Sequence, residues 1–256
     1  MDFTGKVALI TGASSGIGAA TAETLAKYGA NVAIVGRNAG NLKETEKKCK
    51  AANANIVCLP IIADVTTDAE KIVNEVIGKF QRLDVLVNNA GILAMGGLMD
   101  IDIEQFDNVL NTNVRAVFTL SKLSVPYLIN TQGNIVNVSS VAGLRSFPGA
   151  LSYGVSKAAL DQFTKCLSLD LAKENVRVNS VNPGVVITEI HKRGGGMSEQ
   201  EYANYLERSK GTHAMGRVGN VFEVAETIAF LASSKASFIT GALVPVDGGK
   251  HAMCPR

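Results

Sequence analysis

Short runs of apolar, often β-branched residues alternate along the chain with longer segments in which apolar positions recur every three or four residues. The short runs predict buried strands at residues 7–10, 32–35, 56–61, 85–87, 135–138, 178–181 and 243–246. The longer segments predict helices at residues 17–28, 42–50, 68–80, 103–127, 153–173 and 221–232. Uninterrupted apolar strands joined by helices indicate a parallel sheet covered on both faces. With right-handed crossovers, this pattern predicts an α/β, doubly wound fold with a seven-stranded parallel sheet flanked by helices.

No Pro- or Ser-rich linker interrupts the alternation, so residues 1–256 are predicted to form a single domain. One segment, residues 188–215, breaks the rhythm. It contains three consecutive glycines, 194–196, followed by Tyr202 and Tyr205. An insertion after a strand, with a flexible start and an apolar face, is typical of a lid over a substrate, although a surface excursion with its own small helix also fits.

Charge and composition exclude several classes of protein. The net charge is only +2 and the basic residues are scattered, so no nucleic-acid partner is expected. No apolar run is long enough to span a bilayer, so we expect no membrane association and a cytoplasmic location. The three histidines are dispersed, and the four cysteines (Cys49, Cys58, Cys166 and Cys254) have no metal-ligand spacing. A metal site is therefore not predicted.

A glycine-rich turn follows the first predicted strand and leads directly into a helix. Glycines allow a backbone to approach a pyrophosphate closely, and the helix N-terminus offers free N–H groups to an anion. The spacing, Gly-x-x-x-Gly-x-Gly, differs from the common dinucleotide fingerprint. The predicted phosphate-binding residues are Gly12, Ser14, Ser15, Gly16, Ile17 and Gly18.

The end of the second strand bears on the choice of dinucleotide. An enzyme that binds NAD usually has an acid there for the ribose hydroxyls. This chain has Gly36, Arg37 and Asn38 instead, and a guanidinium can bind a 2′-phosphate. We therefore predict NADP(H), with Arg37 and Asn38 as ligands. After the third strand, Asp64 and Val65 are predicted to lie near the adenine, although Asp64 equally suits a helix cap.

Tyr153 and Lys157 stand four residues apart, which brings them to one face of a helix. A lysine cation beside a phenol lowers the pKa of the tyrosine, which can then exchange a proton with a carbonyl or an alcohol. Ser140 follows the fifth strand at the same edge of the sheet. Without a nearby histidine base it is better interpreted as a hydrogen-bond donor to a substrate oxygen than as a nucleophile.

Taken together, these residues give the chain a resemblance to the classical short-chain dehydrogenase/reductase family, which has a Rossmann fold. The resemblance rests on residues 11–18 (TGASSGIG), 88–91 (NNAG), Asn113, Ser140, residues 153–157 (YxxxK) and residues 182–184 (NPG). It implies that Tyr153 is the general acid/base, that Lys157 binds the nicotinamide ribose, and that Asn113 holds a water in a proton relay. It also implies further cofactor contacts from Asn89, Ala90, Gly91, Pro183, Gly184, Ile187 and Thr188.

The substrate of such an enzyme is a carbonyl or an alcohol. The residues expected to line its pocket are Leu93, Met95, Leu144, Phe147, Val185 and Tyr202. Because this set is mostly apolar, we expect a carbonyl reductase for a small steroid, isoprenoid, retinoid or aromatic compound.

Two other functions stay open. A 3-oxoacyl-thioester reductase acting on acyl carrier protein needs a basic docking patch, which Lys192, Arg193, Arg208 and Lys210 could form. A non-catalytic NADP(H)-sensing protein needs only the dinucleotide site. The segment 240–249 resembles the family's subunit-contact strand, which implies a homotetramer, with a dimer as the alternative.

Overall fold

Seven parallel strands form one sheet, which confirms the predicted fold class. The computed structural model describes residues 1–253, apart from the side chain of Arg193. The strands are β1 Val7–Thr11, β2 Asn31–Gly36, β3 Cys58–Ile62, β4 Val85–Asn88, β5 Asn134–Val138, β6 Arg177–Pro183 and β7 Leu243–Val246. Their order across the sheet is β3-β2-β1-β4-β5-β6-β7.

Helices connect the strands and cover the sheet. They are α1 Gly16–Lys27, α2 Ala39–Ala52, α3 Ala69–Phe80, α4 Ile103–Leu110, α5 Ala116–Thr131, α6 Val141–Leu144, α7 Leu151–Leu171, α8 Ile190–Gly195, α9 Glu199–Lys210 and α10 Val221–Ala232. A π-helical turn, Asn111–Arg115, joins α4 to α5. Both α8 and α9 fall in the segment 188–215.

The side chains of each strand alternate between two apolar layers. From β1, Ala8 and Ile10 pack with residues of α1 and α10, whereas Val7 and Leu9 pack with residues of α3 and α5. All five residues of β1 are buried, as are all five of β5. Burial on both faces explains why β1 is an almost uninterrupted apolar run in the sequence, whereas β5 also buries two asparagines, Asn134 and Asn137.

The two ends of the sheet are built differently. At the amino end, the buried Asp84 carboxylate accepts hydrogen bonds from the Val7 amide (2.9 Å) and from the Arg82 guanidinium (2.9 and 2.7 Å). At the carboxyl end, the chain crosses from β3 to β4, so the connections leaving β1 and β4 diverge. A crevice at such a switch point is where doubly wound sheets bind ligands.

Several predicted boundaries differ from the structure by one to four residues, and three elements show the reasons. The helix predicted at 103–127 is divided by the π-helical turn and continues to Thr131. Strand β3 begins two residues later than predicted, because Val57 is exposed and its amide bonds the Asn31 side chain (2.8 Å). Helix α2 begins at Ala39, three residues early, because the Asn38 side chain accepts a hydrogen bond from the Asn41 amide (2.9 Å) and caps it.

The structure bears on three further points raised by the sequence: membrane-spanning helices, metal ligands and cysteines. No helix in the described residues is long and apolar enough to cross a membrane. Within residues 1–253, no three acidic, histidine or cysteine side chains are grouped as metal ligands. Cys49, Cys58 and Cys166 are free thiols. Cys254 and the side chain of Arg193 lie outside the described residues.

Candidate active site

A cleft of about 550 Å³ opens at the carboxyl end of the sheet. Most of the residues that the sequence assigned to a site line this cleft. These are Gly12, Ser14, Ser15, Gly16, Ile17, Arg37, Asp64, Val65, Asn89, Ala90, Gly91, Leu93, Ser140, Tyr153, Lys157, Pro183, Gly184 and Thr188. Residues that the sequence reasoning did not assign also line it, among them Ile92, Asn108, Thr112, Ser139, Glu189, Ile190 and Gly194.

The glycine-rich turn is held open at the start of α1. Gly12 has a φ of +63°, and a Cβ there would lie 2.8 Å from Asn89 Nδ2 and 2.9 Å from Ala90 Cα. The Asn89 side chain in turn donates hydrogen bonds to the carbonyls of Thr11 (2.9 Å) and Gly12 (3.2 Å). The first turn of α1 contains no acidic residue. Its N-terminus is therefore suited to an anion, and the cradle fits the pyrophosphate of a dinucleotide.

Gly18 does not line the cleft with the other turn residues. A Cβ at Gly18 would collide with the Gly12 carbonyl and the Asn89 amide. Its lack of a side chain therefore lets α1 pack closely against the turn, and the predicted direct contact with the cofactor is corrected to this packing role.

Thr11 connects the carboxyl ends of β1 and β4, which the sequence analysis missed. Its hydroxyl accepts hydrogen bonds from the amides of Asn89 and Ala90, both at 3.0 Å, and lies 3.4 Å from the Val87 carbonyl. The signal in the sequence that could have revealed this role was a threonine at the end of an apolar strand, directly before the glycine-rich turn.

At the adenine end, Arg37 and Asp64 form an ion pair of 3.3 Å. Burial raises the pKa of Asp64, but hydrogen bonds from Thr66 and the nearby Arg37 outweigh it, so the pKa lies below its usual value. The Arg37 side chain is 74% exposed, which makes the pair weak and easily exchanged. Asn38 caps α2 and does not line the cleft, which corrects its predicted role.

Helix α7 presents Tyr153 and Lys157 to the cleft opposite Ser140. The buried Lys157 Nζ donates a hydrogen bond to the Val138 carbonyl (2.9 Å) and lies 5.7 Å from the centroid of the Tyr153 ring. Ser140 follows β5, and its hydroxyl accepts a hydrogen bond from the Ala142 amide (3.1 Å) at the start of α6. A carbonyl oxygen between Ser140 and Tyr153 would meet two hydroxyl groups.

The pKa values of the two α7 groups are both governed by burial. Burial raises the pKa of Tyr153, while the Ser140 hydroxyl acts in the opposite direction. Burial lowers the pKa of Lys157 to about 8, against the negative charge of Asp161. The sequence analysis expected Lys157 to lower the pKa of Tyr153. In the structure, burial of the phenol outweighs the Ser140 hydrogen bond, so the pKa of Tyr153 is raised, contrary to that expectation.

Asn113 is fully buried in the π-helical turn. Its Oδ1 accepts a hydrogen bond from the Ile92 amide (2.9 Å), and its Nδ2 donates to the Ile92 carbonyl (2.9 Å) and to Ser156 Oγ (3.0 Å). A Cβ on Gly91 would lie 3.1 Å from Asn113 Oδ1 and 3.6 Å from Lys157 Nζ. Asn113 is therefore close to the lysine, although it does not line the cleft itself.

Five of the six predicted substrate residues and Ile187 do not line the cleft. Tyr202 is 7% exposed, and its hydroxyl donates to the Thr188 carbonyl (2.8 Å) and accepts from the Thr188 amide (3.1 Å). Tyr202 thus anchors the segment after β6, which corrects its predicted role. The Val185 amide donates to His213 Nε2 (3.1 Å), and Lys250 Nζ lies 5.3 Å from the centroid of the Phe147 ring. Met95, Leu144 and Ile187 likewise lie outside the lining.

The segment that carries α8 and α9 touches the cleft wall. A Cβ at Gly194 would collide with the Leu93 carbonyl, so the two backbones are in close contact. The rings of His191 and Tyr205 lie 4.7 Å apart, with 3.4 Å between Nε2 and the hydroxyl. Burial lowers the pKa of His191 to about 4, so its imidazole is neutral at physiological pH.

The fold and the cleft define an oxidoreductase that binds a nicotinamide dinucleotide, and comparisons with known proteins agree. Residues 12–251 match the family model described as enoyl-(acyl carrier protein) reductase. A 3-oxoacyl-[acyl-carrier-protein] reductase of Thermotoga maritima is 38% identical over 97% of this chain and 99% of its own. A meso-2,3-butanediol dehydrogenase of Serratia marcescens is 37% identical over 98% of this chain and 97% of its own.

A solved structure from Caenorhabditis elegans, described as a short-chain dehydrogenase/reductase of unknown function with cofactor, superposes with a TM-score of 0.92. It is 36% identical, and the match covers 98% of this chain and 97% of that one. The chain belongs to the short-chain dehydrogenase/reductase family. It is therefore an oxidoreductase of the carbonyl and alcohol type that uses a nicotinamide cofactor.

Proposed function

We propose that this protein is an NADP(H)-dependent carbonyl reductase that interconverts a carbonyl and a primary or secondary alcohol on a small, mostly apolar substrate. The observation that carries the proposal is the position of Tyr153 and Lys157 on one face of α7, across the cleft from Ser140. The glycine-rich turn at the other end of the same cleft supports a dinucleotide as the second reactant.

When bound, the nicotinamide supplies the hydride or accepts it. The hydroxyls of Ser140 and Tyr153 orient the substrate oxygen, and Tyr153 donates its proton as negative charge develops there. The Lys157 ammonium stabilises the phenolate that remains and holds the nicotinamide ribose. Asn113, close to Lys157, would hold a water through which a proton returns from solvent to Lys157. Gly12, Gly16 and the α1 N-terminus would hold the pyrophosphate, with Asn89, Ala90, Pro183, Gly184 and Thr188 along the cleft.

The preference for NADP(H) rests on Arg37. It stands at the carboxyl end of β2, and its exposed ion pair with Asp64 is readily exchanged for a doubly charged phosphate. Arg37→Asp should weaken NADPH binding and improve NADH binding. The reverse preference in the wild-type protein would overturn the assignment.

We further propose that residues 188–215 close over the substrate as a lid. The contact between Gly194 and Leu93 brings α8 to the cleft wall, and the Tyr202 hydroxyl joins α9 to Thr188. An apolar substrate is supported by Leu93 and Ile190 in the lining, and no basic side chain of the described residues other than Arg37 and Lys157 lines the cleft.

A 3-oxoacyl-acyl carrier protein reductase is the second candidate, because the Thermotoga maritima relative carries that name. The charges of the segment 188–215 favour a small molecule instead. Its four basic residues are matched by four acidic ones, and Lys192 pairs with both Glu189 (3.3 Å) and Glu199 (2.7 Å). An acidic carrier protein therefore meets no net positive charge there.

Assembly as a homotetramer is also part of the proposal. Phe222, Phe230 and Phe238 are exposed around α10, and Phe118 and Leu169 are exposed on α5 and α7. Two separate apolar surfaces suit the two kinds of interface that a closed tetramer needs. Light scattering coupled to gel filtration would measure the mass, and a monomer would contradict the assignment.

Nicotinamide fluorescence during titration with NADPH and NADH, followed by a panel of apolar ketones, tests the enzyme assignment. We expect tighter binding of NADPH and turnover of a ketone. The variant Tyr153→Phe should bind NADPH normally and lose turnover, whereas Tyr205→Phe, a matched loss of a phenol hydroxyl, should keep turnover. Tight NADPH binding without turnover of ketones or acyl thioesters would favour the non-catalytic sensor, and retained activity in Tyr153→Phe would overturn the mechanism.

A further inference from the structure

Helix α7 carries a third buried ionisable group, Asp161, one turn beyond Lys157 and two turns beyond Tyr153. Asp161 is 4% exposed. A buried carboxylate ordinarily has a cationic partner. Among the side chains that the structure describes, however, no basic group lies within ion-pair distance of Asp161. The burial of this carboxylate therefore requires another explanation.

Neutral donors from β6 surround the carboxylate. Asn182 Nδ2 donates to Asp161 Oδ1 (3.0 Å) and Oδ2 (2.9 Å), and the same amide group donates to the Ser140 carbonyl (3.0 Å). Ser180 Oγ lies 3.3 Å from Asp161 Oδ1. Gly143 adds close backbone contact, since a Cβ there would collide with the carboxylate. Asp161 is thus joined through one side chain to the backbone of Ser140.

The same carboxylate is the charged group nearest in sequence to Lys157 on its own helix face. Lys157 is 4% exposed, and the one hydrogen bond from its Nζ goes to a neutral carbonyl. The other groups around these two side chains are neutral or titrate only at alkaline pH. Near Lys157 they are Ser139 from the end of β5, Asn113 from the π-helical turn and Tyr153 from α7, on which Tyr205 from α9 acts. Against Asp161 they are Ser180 and Asn182 from β6, and Asn182 also bonds the Ser140 carbonyl.

We propose that Asp161 is a positioning residue of the active site: its buried carboxylate is the counter-charge that keeps Lys157 an ammonium, and through Asn182 it fixes the Ser140 backbone. Burial alone lowers the pKa of Lys157, and the charge of Asp161 raises it. Burial likewise raises the pKa of Asp161, and its hydrogen-bond donors and Lys157 lower it. Each group therefore stabilises the charged form of the other across one turn of α7.

This inference rests on the proposed function, in which the Lys157 ammonium holds the dinucleotide. The test is the Kd for NADPH as a function of pH, measured by nicotinamide fluorescence with the wild-type protein, Asp161→Asn and Asp170→Asn. Asp170 lies on the same helix and is exposed, so its variant removes the same charge without touching the buried site. In the wild-type protein, binding should weaken as the pH rises through about 8, where Lys157 loses its proton.

In Asp161→Asn we expect the midpoint of this weakening to move down by roughly one to two pH units. Well below the shifted midpoint the two proteins should bind equally, and Asp170→Asn should follow the wild-type curve. If Asp161→Asn does not fold, Asp161→Ser carries the same test, because it removes the charge and leaves an acceptor oxygen for Asn182. Asp161→Glu, which keeps the charge, should restore the wild-type midpoint.

An unchanged midpoint in the neutral variants, or equal weakening at every pH, would overturn the proposal and leave Asp161 with a purely structural role. Because the readout is binding, no substrate has to be known. If the wild-type protein binds neither NADPH nor NADH, the proposed function fails instead, and the two failures are therefore distinguishable.

Discussion

Removing the Tyr202 hydroxyl tests how the segment 188–215 supports the cofactor site. Tyr202→Phe deletes two hydrogen bonds, at 2.8 and 3.1 Å, that satisfy both backbone groups of Thr188. Each such bond contributes about 1 kcal/mol net, so the loss of the two is about 2 kcal/mol. If all of this free energy is lost from NADPH binding, because Thr188 is no longer held in place, the Kd for NADPH rises by at most about 30-fold.

The assay is nicotinamide fluorescence titration, together with kcat and KM for NADPH once a substrate is found. Because the loss concerns binding, KM should rise more than kcat falls. Tyr205→Phe is the matched control. It deletes a hydroxyl from the same helix that contacts His191 and not Thr188. An unchanged Kd in Tyr202→Phe, or an equal change in both variants, would refute the reasoning.

Three further predictions concern pH and packing. Burial holds the pKa of His191 near 4, so as the pH falls from about 6.5 towards 4 the unfolded segment binds a proton that the folded one does not. Limited proteolysis of residues 188–215 should therefore accelerate more over that window in the wild-type protein than in His191→Phe, which keeps only His213, whose pKa burial also lowers; equal acceleration in the two proteins would contradict this. Gly143→Ala forces a methyl group against Asp161 and a backbone carbonyl, and we expect a lower Tm and lost turnover, with an unchanged Tm contradicting the close contact. Arg217 and a backbone amide lower the pKa of Glu223 to about 2, so Glu223→Gln should be less stable than the wild type by up to about 1 kcal/mol at pH 7. This difference in the free energy of unfolding should shrink as the pH falls below about 4.5 towards 2. An equal difference at pH 3 and pH 7 in urea unfolding would contradict the prediction.

The strands were predictable because a buried strand appears in the sequence as a short run of consecutive apolar residues. The apolar runs of the central strands, such as Val32–Val35 in β2, are buried on both faces, and burial on both faces removes the alternating polar positions that would obscure the pattern. The turn at Gly12 was predictable for a similar reason, since a strand, a glycine cluster and a helix follow one another directly. Boundaries failed where one side chain decided them, as Asn38 does for α2.

The parts of the site that depend on residues distant in the sequence were not predictable. Tyr202 was assigned to a substrate wall from its apolar ring, but the position of its hydroxyl depends on how α9 folds back on Thr188. The π-helical turn at Asn111–Arg115 leaves the apolar pattern of the helix nearly unchanged, so periodicity does not reveal it. Asp161 stands at helical spacing from Tyr153 and Lys157, yet only the packing of β6 shows that it is buried.

The parallel sheet separates two kinds of work between its two ends. The ion pair of Asp84 with Arg82, and its bond to the Val7 amide, lie at the amino end and contact no residue of the cleft lining. The loops of the carboxyl end carry the groups that line the cleft. Exchanging these loops between relatives should therefore alter the range of substrates without disturbing the hydrogen bonds of Asp84 to Arg82 and Val7. Substitutions at Asp84 should instead alter how much folded protein a cell accumulates and leave the substrate selectivity of the enzyme intact.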